Sequence, residues 1–106
     1  MSSAEQQQAA QIETCLIIYV QVHEKEFEVS VGGGTQRISW LGHVGIARYD
    51  ESSYEGWKEL GVPTSVDKLD EKDKVSSNLN MSQVIKEVLV DGDRIRVSTS
   101  MSPVDN

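Results

Sequence analysis

The sequence predicts an α+β domain in which a mixed sheet of four to five strands packs on one main helix. Two apolar runs joined by a short polar segment are typical of a β-hairpin. A glycine-rich segment and a stretch with a broad apolar face then predict a helix. A final run in which apolar and polar residues alternate, Arg94–Ser98, predicts a closing strand.

Length and charge limit the classes of function. The 106 residues are enough for one domain at most. The net charge of −7 disfavours binding to nucleic acid or to an anionic membrane, because both require a positive surface. The longest apolar run, Cys15–Val20, has the length of a strand and not of a membrane span. A single cysteine and the lack of a signal-peptide pattern favour the cytoplasm.

The first strand is predicted over residues 14–22, and its two faces differ. The odd positions, Ile17, Tyr19 and Gln21, become polar towards the end of the strand, as expected of a half-exposed surface. Cys15 is interpreted as a small buried hydrophobic residue, because it is a lone thiol in an apolar run. The even positions are all aliphatic, and we expect them in the core: Leu16, Ile18, Val20 and Val22.

A four-residue polar turn, His23–Glu26, is predicted to lead into the second strand. In that strand Phe27, Val29 and Val31 are expected to face inward. The glycines 32–34 then form a loop, with Thr35 as the helix N-cap. A phosphate cradle is the alternative for this loop, but the glycine spacing of nucleotide-binding loops is missing. We therefore interpret it as a connector.

The main helix is predicted over residues 36–49. One apolar stripe contains Ile38, Leu41 and Gly45, and the adjacent stripe contains Trp40, Val44 and Ala47. We expect both stripes to form one broad packing face. Gly42 and Gly45 each destabilise a helix interior, so we expect them to permit close packing against the sheet. His43 is expected on the solvent side.

The remaining chain contains shorter elements. Residues 62–66 are predicted to form a short edge strand, because proline is tolerated there. Residues 67–74 are predicted to form an exposed charged turn that does not match a calcium-binding loop. Residues 75–81 are the predicted penultimate strand, and residues 82–89 a helical turn capped by Ser82. Residues 90–93 are a turn before the final strand, in which Ile95 and Val97 face inward.

The order of these elements resembles that of the ubiquitin-like, or β-grasp, superfamily. The resemblance is carried by the segments IIYVQVHEKEFEVSV, GGTQRISWLG and VIKEVLVDGDRIRV, and it covers residues 13–99. It implies that the first and last strands lie side by side at the centre of the sheet. The region 51–81 departs from the family pattern, because it is longer and more charged. Residues 1–12 are predicted to be a disordered tail, and residues 100–106 a flexible one.

The resemblance implies a non-catalytic module for protein–protein interaction. Ubiquitin-type modifiers are joined to targets through a C-terminal Gly-Gly, whereas this chain ends in SMSPVDN, so we do not expect a conjugated modifier. Two isolated histidines, one cysteine and scattered carboxylates form no nucleophile–base pattern. The sequence therefore predicts no enzyme activity, no cofactor and no metal site. The expected partner is another protein.

Strand parity predicts the binding surface. Ile17, Tyr19 and Gln21 should lie beside Arg94 and Arg96 on the side of the sheet away from the helix, where they form an apolar centre with a charged rim. The alternative is that Ile17 and Tyr19 are ordinary half-exposed strand residues.

Two aromatic residues in the polar connection 50–61, Tyr54 and Trp57, are further candidates for the binding site. They can anchor a partner, since such residues dominate interface hot spots. The interpretation we favour is that they fold back as a lid over the core.

A second hypothesis is a β-grasp scaffold that self-associates weakly or binds the cytoskeleton. Some β-grasp domains pair head to tail through an Asp-Gly-Asp motif, which residues 91–93 resemble. The acidic charge of the chain disfavours acidic partners such as tubulin. We expect residues 91–93 to act as a turn.

Overall fold

A computed structural model describes residues 15–102. The predicted N-terminal tail, residues 1–12, lies outside the described residues, as do the last four residues of the predicted C-terminal tail. The elements run in the order β1 (Ile17–Val22), β2 (Lys25–Ser30), α1 (Ile38–Arg48), α2 (Trp57–Leu60), β3 (Pro63–Leu69), β4 (Val75–Leu79), α3 (Ile85–Val88) and β5 (Arg94–Thr99).

The strands form one five-stranded mixed sheet in the order β2-β1-β5-β3-β4. β1 and β5 are parallel, and every other neighbouring pair is antiparallel. The predicted α+β class is confirmed, and so is the adjacency of the first and last strands. β5 is the middle strand, so it joins the β1–β2 hairpin to the β3–β4 hairpin.

The core lies between the sheet and α1. Ile18 and Val20 of β1 pack with Ile38 and Leu41 of α1, and all four side chains are fully buried. The second predicted stripe of α1 is only partly correct. Trp40 is 38% exposed, because it lies about 200° around the helix from Ile38 and therefore faces away from the sheet.

Two glycines allow α1 to approach the sheet closely. A Cβ atom on Gly45 would lie 2.7 Å from Cγ1 of Val20, and one on Gly42 would lie 2.9 Å from Cβ of Pro63. Any larger side chain at either position would push the helix away from the sheet. The packing role predicted for these glycines is confirmed.

The helix caps differ from the predictions. The N-cap residue of α1 is Arg37 and not Thr35, and it makes no side-chain capping bond. The first free N–H groups of the helix are satisfied by another segment, because Ile38 donates to the carbonyl of Gln83 and Ser39 to that of Met81. A long-range backbone contact thus replaces a local side-chain cap.

The other predicted cap is also wrong. α3 begins at Ile85 after Val84, and Ser82 does not cap it. The backbone of this segment is held instead by the loop before α1, since Ile85 donates to the carbonyl of Gln36 and Lys86 to that of Gly34. The glycine loop therefore binds a neighbouring segment of the chain, as a connector does.

The β1–β2 turn is shorter than predicted. Val22 pairs with Lys25, so the loop contains only His23 and Glu24. His23 has φ of 53°, the left-handed conformation that tight hairpins need and that asparagine or glycine usually adopts. The sequence carried no such signal, and the prediction was two residues too long.

The predicted edge strand at 62–66 is an interior strand. β3 lies between β5 and β4, and it continues through Asp67–Leu69, which were assigned to a turn. Pro63 is compatible with this position because it is the first residue of the strand. The edge on this side of the sheet is β4, the predicted penultimate strand.

Residues near both ends of the described chain also differ from expectation. Cys15 is exposed rather than buried, because it precedes β1 and shares the side of Ile17. Ser100 and Met101, assigned to the tail, donate backbone hydrogen bonds to the carbonyls of Val62 and Leu60. Within residues 15–102, every helix is too short or too polar to cross a lipid bilayer.

Candidate protein-binding surface

Strand register determines which side chains share the side of the sheet opposite α1. Tyr19 lies between Glu28 of β2 and Arg94 of β5. Every second residue of each strand lies on this same side of the sheet. We call this side the open face. Its residues are Ile17, Tyr19, Gln21, Glu26, Glu28, Ser30, Ser65, Asp67, Leu69, Val75, Asn78, Arg94, Arg96 and Ser98.

β1 separates the core from the open face. Ile17, Tyr19 and Gln21 are half-buried, whereas the three residues that alternate with them have no exposed surface. The exposed parts of Ile17 and Tyr19 lie on an inner strand, flanked by β2 and β5. The open face therefore has a partly apolar centre.

The structure brings both predicted arginines next to this centre. Arg96 donates from Nε to Oε1 of Gln21 at 2.8 Å. Arg94 donates from Nε and Nη2 to one oxygen of Glu26, at 3.1 and 3.0 Å. Since Glu26 is on β2, the Arg94 side chain reaches across β1. The guanidinium groups are thus fixed against the sheet.

The β3–β4 turn also contacts both arginines. Asp70 closes this turn, because its Oδ1 accepts the backbone N–H groups of Lys72 and Lys74 at 2.8 and 3.0 Å. Asp73, in the left-handed region with φ of 63°, ion-pairs with Nη1 of Arg94. Its carbonyl oxygen accepts a hydrogen bond from Nη2 of Arg96 at 3.1 Å. The turn therefore folds towards the open face.

These contacts compensate the charge of Arg94 with two carboxylates, whereas Arg96 contacts a neutral amide and a main-chain carbonyl. The hydrogen bond that Arg94 donates to Glu26, together with the charges of Glu26 and Asp73, raises the pKa of Arg94 above its ordinary value. Arg94 is 32% exposed and Asp73 is 49% exposed, so the ion pair is open to solvent on one side. The basic flank predicted from sequence is a bonded network of opposite charges.

Three residues of this network and its surroundings were missed by sequence reasoning. Leu69 is only 5% exposed and pairs with Arg94 on the open face. It is the one apolar residue in the charged run 67–74, and this isolated position was a usable signal. Glu26 was placed in the turn because the hairpin loop was predicted too long. Asp73 gave no signal, since its role depends on how the turn folds back.

Tyr54 and Trp57 lie in the connection between α1 and β3, outside the strands of the open face. Their side chains are 63% and 51% exposed, so the lid interpretation is wrong. Tyr54 borders a cavity of about 430 Å³ together with Phe27 and Arg48. The ring of Trp57 has the ammonium group of Lys58 at 5.5 Å from its centre.

The groups considered for catalysis are not brought together. Cys15 is exposed before β1, and His43 is exposed on the outer side of α1. A second cavity, of about 360 Å³, is lined by residues of the β3–β4 and α3–β5 turns, among them Leu69, Asp93 and Arg94. In the described range 15–102, no three His, Cys, Asp or Glu side chains are placed to hold a metal ion.

The acidic motif of residues 91–93 makes contacts inside the chain. Oδ1 of Asp91 accepts the backbone N–H of Ile17 at 2.8 Å. Asp93 accepts the N–H of Val90 at 2.9 Å and lies 3.5 Å from the ammonium group of Lys68. Both carboxylates thus hold the turn against the start of β1 and the end of β3, as a structural turn requires.

No family model and no curated protein matches the chain.

Proposed function

We propose that this chain is a non-catalytic, ubiquitin-like β-grasp module that binds another protein through its open face. The β-grasp assignment is supported by the parallel pairing of the first and last strands and by one main helix on one side of the sheet. The acidic charge and the bonded state of both arginines favour a protein partner over a nucleic acid.

The single observation that carries the proposal is the partial exposure of Ile17 and Tyr19. These apolar side chains lie on an inner strand rather than at the edge of the sheet, and α1 packs against the opposite side of that sheet. Around them lie Gln21, Glu28 and Arg94. An apolar centre with a polar, hydrogen-bonding rim is the usual composition of a protein interface.

Affinity capture from the source cells with two variants tests this proposal. Tyr19→Ala removes the largest apolar side chain of the face, and a central aromatic anchor contributes about 2 kcal/mol or more, or roughly 30-fold in affinity. Arg96→Glu places a negative charge beside Gln21 and should weaken capture as well. His43→Ala on the outer side of α1 is the control and should bind as the unmodified chain does.

Circular dichroism must first show that each variant is folded. Unchanged recovery of the same partners by folded Tyr19→Ala and Arg96→Glu would contradict the proposal. Trp57→Ala separates the two predicted surfaces. If it alone abolishes capture, the partner binds the α1–β3 connection and not the open face.

A further inference from the structure

We propose that the partner presents a carboxylate beside an apolar side chain, and that Asp73 occupies the place of that carboxylate in the free protein. The inference rests on the proposed function, because it concerns the partner of the same open face. It assigns the β3–β4 turn a role in regulating access to this face.

The two arginines form a prepared site for an acidic group. One edge of the Arg94 guanidinium is fixed by Glu26, and Nε of Arg96 is fixed by Gln21. Of the terminal nitrogens that these two contacts leave, Nη1 of Arg94 and Nη2 of Arg96 both contact Asp73. Guanidinium groups held in one geometry bind a planar carboxylate with little loss of side-chain freedom.

Asp73 is an imperfect ligand for this site. Its carboxylate contacts Arg94, but Arg96 receives only its main-chain carbonyl oxygen. The backbone of Asp73 is in the left-handed conformation, which is unfavourable for every residue except glycine. Among the other residues, Asn and Asp tolerate it best. A carboxylate from a partner can offer one oxygen to each guanidinium, so it can replace Asp73 with a better geometry.

The apolar half of the ligand follows from what surrounds the arginines. Tyr19 lies directly beside Arg94 in the parallel β1–β5 pair. Ile17 lies on the same side of β1, two residues before Tyr19. A partner whose acidic group is held by the arginines can therefore place a second side chain against these two residues. In an extended segment, side chains two residues apart face the same side, so the acidic and the apolar residue of the partner are separated by one residue.

The main alternative is a basic partner. Glu28 and Asp67 favour it, because they place negative charge on both flanks of the open face. A partner with lysines would bind them and would benefit from Asp73 as well. The two ligand classes make opposite predictions for a variant without the Asp73 charge. Removing it strengthens binding of an acidic ligand and weakens binding of a basic one.

The experiment uses the full chain, labelled with ¹⁵N, and two capped peptides in which leucine stands two residues after either glutamate or lysine, with threonine between them. Asp73→Asn removes the carboxylate, and asparagine tolerates the same left-handed conformation. Glu71→Gln is the matched control, because it removes an equal charge from the same exposed turn, while the contacts from this turn to the arginines come from Asp73. Chemical shifts of the amides and of the arginine Nε–H groups report the binding place and the affinity.

We expect the glutamate peptide to shift Tyr19, Arg94 and Arg96. Asp73→Asn should bind it about 2- to 5-fold tighter than the unmodified chain, the range of an exposed ion pair. Glu71→Gln should produce a smaller change. Loss of the Tyr19 amide shift when the glutamate peptide is added to an Arg94→Gln, Arg96→Gln double variant would identify the arginines as the contact.

Two results would overturn the inference. The first is binding of the lysine peptide at the open face that weakens in Asp73→Asn; the proposed function would then stand with a basic partner. The second is no shift of Arg94 or Arg96 when the glutamate peptide is added to Asp73→Asn at millimolar concentration. In that case the capture experiment with Tyr19→Ala still decides separately whether the open face binds a protein.

Discussion

The hydroxyl group of Tyr49 donates to both carboxylate oxygens of Glu24, at 2.9 and 2.8 Å. Tyr49 follows the last residue of α1, and Glu24 is in the two-residue β1–β2 turn. Lys25 adds to this contact, since its ammonium group binds the carbonyl of Tyr49 at 2.9 Å and lies 4.5 Å from the ring centre. The hairpin turn therefore fastens the end of the helix to the sheet.

The contact between Tyr49 and Glu24 makes the free energy of unfolding depend on pH. The hydrogen bond from Tyr49 is the main cause that lowers the pKa of Glu24 below its ordinary value. A lowered pKa in the folded state stabilises the protein above the ordinary glutamate value of about 4.3, and the stabilisation is lost as pH falls through the lowered value. In thermal unfolding, Tyr49→Phe should melt below the unmodified chain at pH 7, and the difference should shrink below about pH 4.

Tyr54→Phe is the matched control for this experiment, because it removes a phenol hydroxyl from a largely exposed ring. Asp50 also has a lowered pKa, chiefly through the hydroxyl of Ser52, but it is present in all three proteins and cancels in the comparison. An equal gap between Tyr49→Phe and the unmodified chain at pH 7 and at pH 3 would contradict the role of Glu24.

The two faces of β1 predict unequal costs for neighbouring substitutions. Ile18 is fully buried against α1, so Ile18→Ala should destabilise the protein by about 2–5 kcal/mol through lost burial and a cavity. Ile17 is half-buried on the open face, so Ile17→Ala should cost about 1 kcal/mol. Urea unfolding of both variants measures the difference. Equal costs would mean that the assignment of the two faces is wrong.

A methyl group added between α1 and the sheet should destabilise the protein, even though alanine forms helices better than glycine does. In Gly45→Ala the new Cβ would lie 2.7 Å from Val20 and 3.0 Å from Val22. We expect a cost of about 1–3 kcal/mol from overpacking, which outweighs the gain of about 1 kcal/mol in helix propensity. Gly33→Ala is the control, since a Cβ there would have no atom within 4 Å.

Calorimetry distinguishes the two glycine variants. A melting temperature for Gly45→Ala at or above that of Gly33→Ala would show that the helix moves away from the sheet without penalty.

The exposed thiol of Cys15 should be reactive in the folded protein. Its sulfur lies 3.7 Å from Oγ of Ser30 and is open to solvent. We expect alkylation by iodoacetamide at a rate close to that of the same chain in denaturant. A buried thiol would react slower by orders of magnitude, because it must wait for the protein to open. Protection of that size would contradict the exposed position.

Sequence periodicity was most successful where one side of a strand is buried and the other is not. The alternation in β1 and β5 was strong enough to assign the core side of Ile18, Val20, Ile95 and Val97. It could do so because side chains on successive strand residues point to opposite sides, whatever their neighbours are. The adjacency of β1 and β5 was expected only from the family resemblance, and their parallel orientation was not predicted.

The predictions that failed depend on contacts between distant segments. Thr35 and Ser82 have the right chemistry for helix caps, but the backbone of Met81 and Gln83 takes that place at α1. Asp73 contacts the arginines through a turn whose direction is set by the Asp70 hydrogen bonds and by a left-handed residue. Local patterns carry no information on such pairings, since the competing partner lies elsewhere in the chain.

The middle position of β5 also limits how early the domain can form. The sheet consists of two hairpins that share no direct pairing, β1–β2 and β3–β4, and only the last strand links them. Arg96 and Gln21, which meet across that link, are 75 residues apart. During synthesis β5 must therefore leave the ribosome before the two halves can close into one sheet, and until then the edges of both hairpins are open to other nascent chains.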